Sequence, residues 1–437
     1  MTIPIWPYGV PEAGIVPVNG GPQANVVSFK PETGPTIDRR RSSSVVKNYE
    51  ITVPNMTQEQ YLKFVQFFEN TISDGTKMFR WVNPMTANGR RSKYLANLWV
   101  SKTSAADNTW NSLIWVKEIG LFVAVSNAGV MTSPDGEMWT LRSAAAANTW
   151  ESVCWSPELK LLVAVSSTGT GNRVMTSPNG VTWTIRASAA DNAWNSVVWS
   201  ASLGLFVAVA SSGTGNRVMT SPNGVTWTIR TSAADNAWHG VAWSPNLNLF
   251  VAVANSGTTN RVMTSPDGIT WTIQTAASAN DWNSVVWVSA LGLFVAVASS
   301  GVGNRVMTSP DGINWTARTS AADNAWNSLV WSEELSLLVA VASSGTGNRV
   351  MTSPDGITWA IRTSAADNAW NSVTWSPELG VFVAVASSGT GNRVMIAEDL
   401  TFNQRVKITF DSGQAAYQES RVTPSLYDVK FNLMVLR

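Results

Sequence analysis

One cysteine and one histidine in 437 residues remove several kinds of chemistry at the outset. Cys154 has no partner for an intrachain disulfide, and a cysteine-based metal site has no ligands to draw on. Such cysteine usage fits folding in a reducing cytosol. Charged residues make up only 14% of the chain and the formal net charge is +1, which gives no electrostatic case for nucleic acid or a membrane surface. The opening Met1-Thr-Ile-Pro-Ile-Trp-Pro lacks the basic start and apolar core of a secretory signal. The longest apolar runs, such as Leu203 to Ala210, are strand-sized, so no membrane-spanning segment is expected. Tyrosine is missing from the whole stretch between Tyr94 and Tyr417.

What the chain has in excess is tryptophan, with 23. Aligned on Trp-x-x-x-x-Trp, the first Trp recurs at Trp110, Trp150, Trp194, Trp238, Trp282, Trp326 and Trp370. The first spacing is 40 residues and every later one is 44; Ser126-Asn-Ala-Gly129 replaces a longer Ser-Ser-Gly-Thr-Gly-Asn-Arg loop in the short unit. Each unit reads as four strands, exemplified by 194–200 (A), 205–210 (B), 217–220 (C) and 226–230 (D), separated by Gly, Pro, Asn and Ser clusters. A period in the forties with four strands per unit predicts propeller blades.

Unit seven departs from the motif after its C strand, at Ala397-Glu-Asp-Leu400, and lacks a D strand. The missing piece precedes unit one, where Trp99-Val-Ser-Lys-Thr-Ser-Ala-Ala-Asp-Asn-Thr-Trp110 matches Trp227-Thr-Ile-Arg-Thr-Ser-Ala-Ala-Asp-Asn-Ala-Trp238. The spacing therefore predicts a seven-bladed β-propeller over 97–397, its last blade closed by a D strand from 98–103. Closure removes the free sheet edges that invite aggregation. Trp99, Trp139, Trp183, Trp227, Trp271, Trp315 and Trp359 become one ring of structural equivalents. The Ser-Pro-Asp-Gly-x-x-Trp hairpin resembles the Asp-box of sialidase-like propellers, one residue shorter. That resemblance implies a structural turn for Asp135, Asn179, Asn223, Asp267, Asp311 and Asp355.

The ends differ in composition. Thr57-Gln-Glu-Gln60 reads as a capping box opening a helix with Tyr61, Phe64, Val65, Phe68 and Ile72 on one face, stopped by Asp74-Gly75. Strands are expected near 45–53, 78–82, 405–410 and 427–435. Neither end alone holds enough apolar material for an independent core, so 1–96 and 398–437 are expected to form one discontinuous α+β domain, with the propeller inserted into one of its loops. The fold class expected is thus mainly β.

These end segments resemble a family of tailed-phage minor tail proteins. The resemblance rests on Gly34-Pro-Thr-Ile-Asp-Arg-Arg-Arg41, Tyr49-Glu-Ile-Thr-Val53 and the helix with Phe64 to Phe68. It extends to Gly75-x-x-x-Phe79-x-Trp81-x-Asn-Pro84 and the terminal Tyr427-x-Val-x-Phe-x-Leu-x-Val435. It covers roughly a third of the chain. The resemblance implies a virion structural component near the tail tip, made in the host cytoplasm, present in multiple copies and partnered by other phage tail proteins.

Chemistry is sparse. A catalytic centre needs unlike groups in one place, whereas near-equal blades offer repeated equivalent sites or none. His239, the only histidine, stands where other units carry Asn and reads as drift. Without tyrosine in the repeats, a sialidase-type nucleophile is missing. Ser-Gly-Thr-Gly-Asn-Arg lacks the Lys-Ser/Thr and following helix of a phosphate loop, so it reads as a hairpin. Neither an enzyme activity nor a cofactor nor a metal is expected.

The D–A and B–C loops share the propeller face opposite the expected position of the end domain. The D–A loop supplies Asp107, Asn108, Asp191, Asn192, Asp235, Asn236, Asp323, Asn324, Asp367 and Asn368. The B–C loop supplies Arg173, Arg217, Arg261, Arg305, Arg349 and Arg393. Two readings fit these residues. They could satisfy loop backbone and one another, or form repeated sites for a host-surface glycan or protein receptor, weak singly and strengthened by avidity. Host recognition, an inert tail ornament or spacer, and a glycoside hydrolase are the three functional classes to separate; the last requires a facing carboxylate pair that the repeat does not offer.

Overall fold

The computed structural model describes residues 99–398 throughout, together with 19–22, 26–29, 37–40, 47–71, 79–82, 403–409, 418–423 and 426–436. The chain divides into two compact units, one built from Met1–Ser92, Glu378–Gly380 and Asp399–Arg437, the other from Lys93–Pro377 and Val381–Glu398.

In the first unit, strands from both ends of the chain share one sheet. Its order is Asn19–Pro22, Lys47–Thr57, Leu426–Leu436, Asn403–Thr409, Phe79–Val82, with Gln418–Thr423 also on Leu426–Leu436. The central pair is antiparallel, with Tyr49 opposite Leu433 and Val53 opposite Val429. The capping box forms as read: Gln60 N donates to Thr57 Oγ1 at 3.3 Å and Thr57 N to Gln60 Oε1 at 2.9 Å, opening a helix at Gln58–Gln66. Its last turn widens into a π turn over Phe67–Thr71, with Phe64 and Phe68 buried. Ile72 and the Asp74-Gly75 stop lie outside the described residues. Val26–Phe29 and Ile37–Arg40 form a separate hairpin that the sequence pattern did not announce.

The second unit is a seven-bladed propeller of four-stranded antiparallel sheets. In blade 3 the strands are A, Trp194–Ser200; B, Leu205–Ala210; C, Val218–Ser221; and D, Thr228–Arg230. The third Trp of each internal unit therefore stands just before strand D rather than within it. Strand B is Leu/Phe/Val/Ala without polar alternation because neighbouring blades cover both its faces. The glycine of the C–D turn makes that close packing possible. Gly224 has a positive φ of 70°, and a Cβ there would come within 2.9 Å of Leu161 and Val163 in the preceding blade.

Twenty-one of the 23 tryptophans belong to three rings, one member of each per blade. The first residue of every A strand is a Trp with no exposed surface, its Nε1 donating to the carbonyl four residues back, as Trp194 does to Ala190 at 3.0 Å. The sixth A residue packs on an aromatic or aliphatic side chain of strand B; Trp199 and Phe206 lie 4.4 Å apart between ring centres. The ring before strand D covers the other side of that Phe, Trp227 lying 6.3 Å away.

Blade 7 closes with the chain's early strand. Trp99–Lys102 pairs with Val394–Glu398, setting Trp99 opposite Ala397 and Lys102 opposite Val394. Loop bonds extend the latch, with Ser104 N donating to Gly391 O at 3.2 Å and Gly391 N to Asp107 Oδ1 at 2.7 Å. Trp99 is 7% exposed and packs on Phe382. Trp99→Ala should lower the propeller's unfolding free energy by about 3–5 kcal/mol, the range for truncating a buried aromatic, measured by denaturant unfolding of the full chain.

Candidate functional site

The recurring polar residues of the D–A and B–C loops are engaged with one another. Five of the D–A loops hold two blades at once through consecutive Asp and Asn residues. Asp191, in the loop between blades 2 and 3, accepts from Gly171 N of blade 2 at 2.6 Å and pairs with Arg173 at 3.7 Å. The next residue, Asn192, donates from Nδ2 to Asn216 O in blade 3 at 2.8 Å. The same arrangement joins Asp235 to Arg217, Asp323 to Arg305, Asp367 to Arg349 and, across the latch, Asp107 to Arg393. Asn236, Asn324 and Asn368 repeat the Asn192 bond to the blade that follows, while Asn108 Nδ2 donates to Ser126 Oγ at 3.4 Å. The arginines are further held by carbonyls of their own loop, as Arg173 is by Gly169 and Ser167.

The two units that lack the loop Asp explain themselves. Ala147 follows blade 1, whose shortened B–C loop carries no Arg. Ala279 follows blade 4, where Asp281 takes Arg261 instead, at 2.7 Å. Carboxylate and guanidinium come and go together, as a structural pair would. All these ion pairs leave their Asp side chains about 42% exposed, where such contacts contribute little alone.

The Asp-box turns are also self-contained. Asp267 Oδ1 accepts from Ile269 N and Thr270 N, both at 2.8 Å, and from Ser265 Oγ at 2.9 Å, while Trp271 Nε1 caps Gly268 O. Burial pushes the carboxyl pKa values of Asp267, Asp311 and Asp355 up, but hydrogen bonds to the ionised form outweigh it and the net direction is down, to about 2 for Asp311.

A second polar arrangement, unannounced by the loops, lies on the propeller axis. Every A strand has a β-bulge after its Trp, for instance between Trp194 and Ser196. The bulge turns the second and third A residues toward the axis, where they line a cavity of about 440 Å3. Strand A is hydrogen-bonded to B on one side only, so its inner-edge groups need partners from the neighbouring blade. Asn and Ser supply them. Asn195 Nδ2 donates to Trp238 O at 3.0 Å, and Ser196 Oγ accepts from Val241 N at 3.3 Å. Asn111, Asn283, Asn327 and Asn371 make the equivalent bond, the last closing the ring onto Trp110 O.

Two blades break this ring. Blade 2 carries Glu151 and blade 4 carries His239 followed by Gly240, and these are the ionisable groups of the cavity wall. Ser167 Oγ donates to Glu151 Oε1 at 2.6 Å, and burial pushes the Glu151 pKa up despite that bond. Burial lowers the His239 pKa, against the opposing field of Asp281. His239, which the repeat pattern reads as drift, is one of the residues lining this cavity. The signal available in the sequence was its coincidence with Glu151, at the same place in the repeat. Among the described residues there is no cluster of three or more His, Cys, Asp or Glu suited to a metal. Burial also pushes the Cys154 thiol pKa up, keeping it protonated and unreactive.

Because the folded-state pKa values of Asp267, Asp311 and Asp355 are depressed, their stabilising contribution is present above pH 3.8 and is lost as pH falls through the folded values. Replacing all three by Asn, the residue already present at Asn179 and Asn223, should keep the fold and flatten Tm against pH below that point, measured by thermal scans from pH 5 to about pH 2. Glu151→Asn and His239→Asn should each restore one interblade bond and raise unfolding free energy by about 0.5–1.5 kcal/mol at pH 7, read from denaturant curves.

No protein-family model and no curated protein sequence matches this chain. Solved structures share its fold at low identity. A β-propeller domain of Myceliophteria thermophila Cps50 (Swd1) aligns with TM-score 0.50 and 9% identity over 67% of this chain and 97% of that one. A chain of a mitotic checkpoint complex aligns with TM-score 0.53 and 14% identity, covering 71% and 94%. The WD40 β-propeller domain of Doa1 aligns with TM-score 0.52 and 13% identity, covering 69% and 95%. At these identities the likeness carries the propeller fold and nothing about ligands.

Proposed function

We propose that this chain is a virion structural protein of a tailed phage, set in the tail or tail tip, whose outward-facing propeller recognises a host-surface glycan without catalysing a reaction. The observation that carries this reading is the latch. Because Trp99 pairs with Ala397, the ring begins and ends at one place. A body with that geometry can be seated in a loop of another domain without distorting it. Strands from both chain ends meet in one sheet, which supports a host domain interrupted by the propeller. The resemblance of those ends to minor tail proteins supplies the virion setting, with other tail proteins as partners and several copies per particle.

Several features support binding rather than turnover. The loop carboxylates are distributed around the ring, each beside its own arginine. The cavity wall offers one carboxylate, Glu151, where hydrolysis of a glycosidic bond uses two. One observation favours a plain spacer instead: the loop side chains are already taken up in internal bonds.

One experiment separates these readings. The full chain, displayed on beads at high valency, should adhere to bacterial cells or to an array of bacterial glycans, and should release no product from glycoside substrates. Absence of adhesion would leave the spacer, and released sugar would establish a hydrolase.

A further inference from the structure

The axial cavity breaks the propeller's symmetry at two of its seven blades, and the break has a definite chemical sense. Where five blades present Asn, its Nδ2 is used up on the next blade's Trp carbonyl and its Oδ1 is left toward neighbouring groups. Glu151 and His239 cannot reproduce that amide bond, so the carbonyls of Trp194 and Trp282 receive no such donor. Glu151 Oε2 meets no protein donor, and neither ring nitrogen of His239 is hydrogen-bonded to protein, among the described residues. Gly240 removes the hydroxyl that elsewhere accepts the next blade's N–H, leaving Val285 N without that acceptor. A Cβ at Gly240 would sit 3.0 Å from Asn283 O, so a side chain there requires the neighbouring strand to shift slightly.

The cavity wall therefore offers the free Glu151 Oε2, the His239 ring nitrogens, the Val285 N–H, a set of serine hydroxyls, and no Lys or Arg. Its volume of about 440 Å3 falls in the range of small-ligand pockets, roughly 300–1,000 Å3. Unpaired polar groups of this kind strongly discriminate for a ligand that pairs them. A group rich in hydroxyl donors fits; a carboxylate or phosphate would face Glu151 with no cation to offset it.

We infer that the axial cavity is a single binding site for a neutral, hydroxyl-rich sugar ring, selected by Glu151 and His239. The site is one per chain, unlike the repeated loops. That the sugar belongs to a host-surface glycan rests on the function proposed above; the chemical class of the ligand rests on the cavity alone.

The test uses the full chain and a panel of free sugars in ligand-observed NMR titrations: neutral hexoses, N-acetylhexosamines, a uronic acid and a sialic acid. Neutral rings should bind at one site with Kd on the order of 1 mM, and the acidic sugars should bind at least about tenfold more weakly. The double variant Glu151→Asn/His239→Asn carries the residue found in the other five blades, so its fold should be retained, checked by its Tm. It should lose at least about tenfold in affinity for the neutral rings. No neutral sugar bound, equal binding of acidic sugars, or undiminished binding by the folded double variant would each overturn the assignment. Bead adhesion to bacteria, run in parallel, keeps the two proposals apart. Sugar binding lost in the variant supports the cavity site even if wild-type beads adhere to no cell, an outcome that removes only the host-surface reading.

Discussion

The propeller depends on how the inner edge of each A strand finds hydrogen-bond partners. Seven sheets arranged around an axis each present one unpaired strand edge to the centre, and a buried backbone group without a partner costs about 1–3 kcal/mol. The solution is local and repeated. A bulge after the first Trp aims Asn and Ser at the neighbouring blade, where they meet a carbonyl and an N–H that strand pairing leaves over. The tryptophan rings fill the space between blades, but the Asn–Ser ring makes the centre of the molecule possible at all. It also explains why the centre is polar. Aliphatic residues at these positions would pack well and leave the carbonyls and N–H groups that Asn and Ser now pair without those partners.

Much of the architecture was legible because the repeat is so regular. The spacing of 44 residues, the missing D strand of the last unit and its displaced copy at Trp99 specified blade number and closure. The capping box at Thr57 likewise identified a helix start from four residues. Strands at Asn19–Pro22 and Gln418–Thr423 escaped notice because they carry little apolar alternation and are defined by their partners in the sheet. Such pairing is non-local and leaves weak traces in sequence.

The candidate site was legible in a more selective way. Uniform loops drew attention to Asp191, Arg173 and their equivalents, and the structure resolves their uniformity into mutual bonding. The axial positions were harder to see. A bulge shifts which residues face inward, so simple alternation along strand A points Asn195 and Ser196 to opposite faces, whereas both line the cavity. Once that shift is known, departures from the repeat become more informative than adherence to it. Glu151 and His239 are two such departures, at the same step of the unit and in blades separated by one.

The latch has a mechanical consequence. The chain enters the ring at Trp99 and leaves just after its partner Ala397, while Lys102 and Val394 sit at the far end of the same short pair. Tension that draws the two connecting segments apart therefore loads the first rung of the ladder before the others. The bonds open in sequence, like a zipper, instead of resisting together in shear. The ring is closed against thermal opening along its whole circumference, yet it has one directional seam that gives way to a pull at its own two ends.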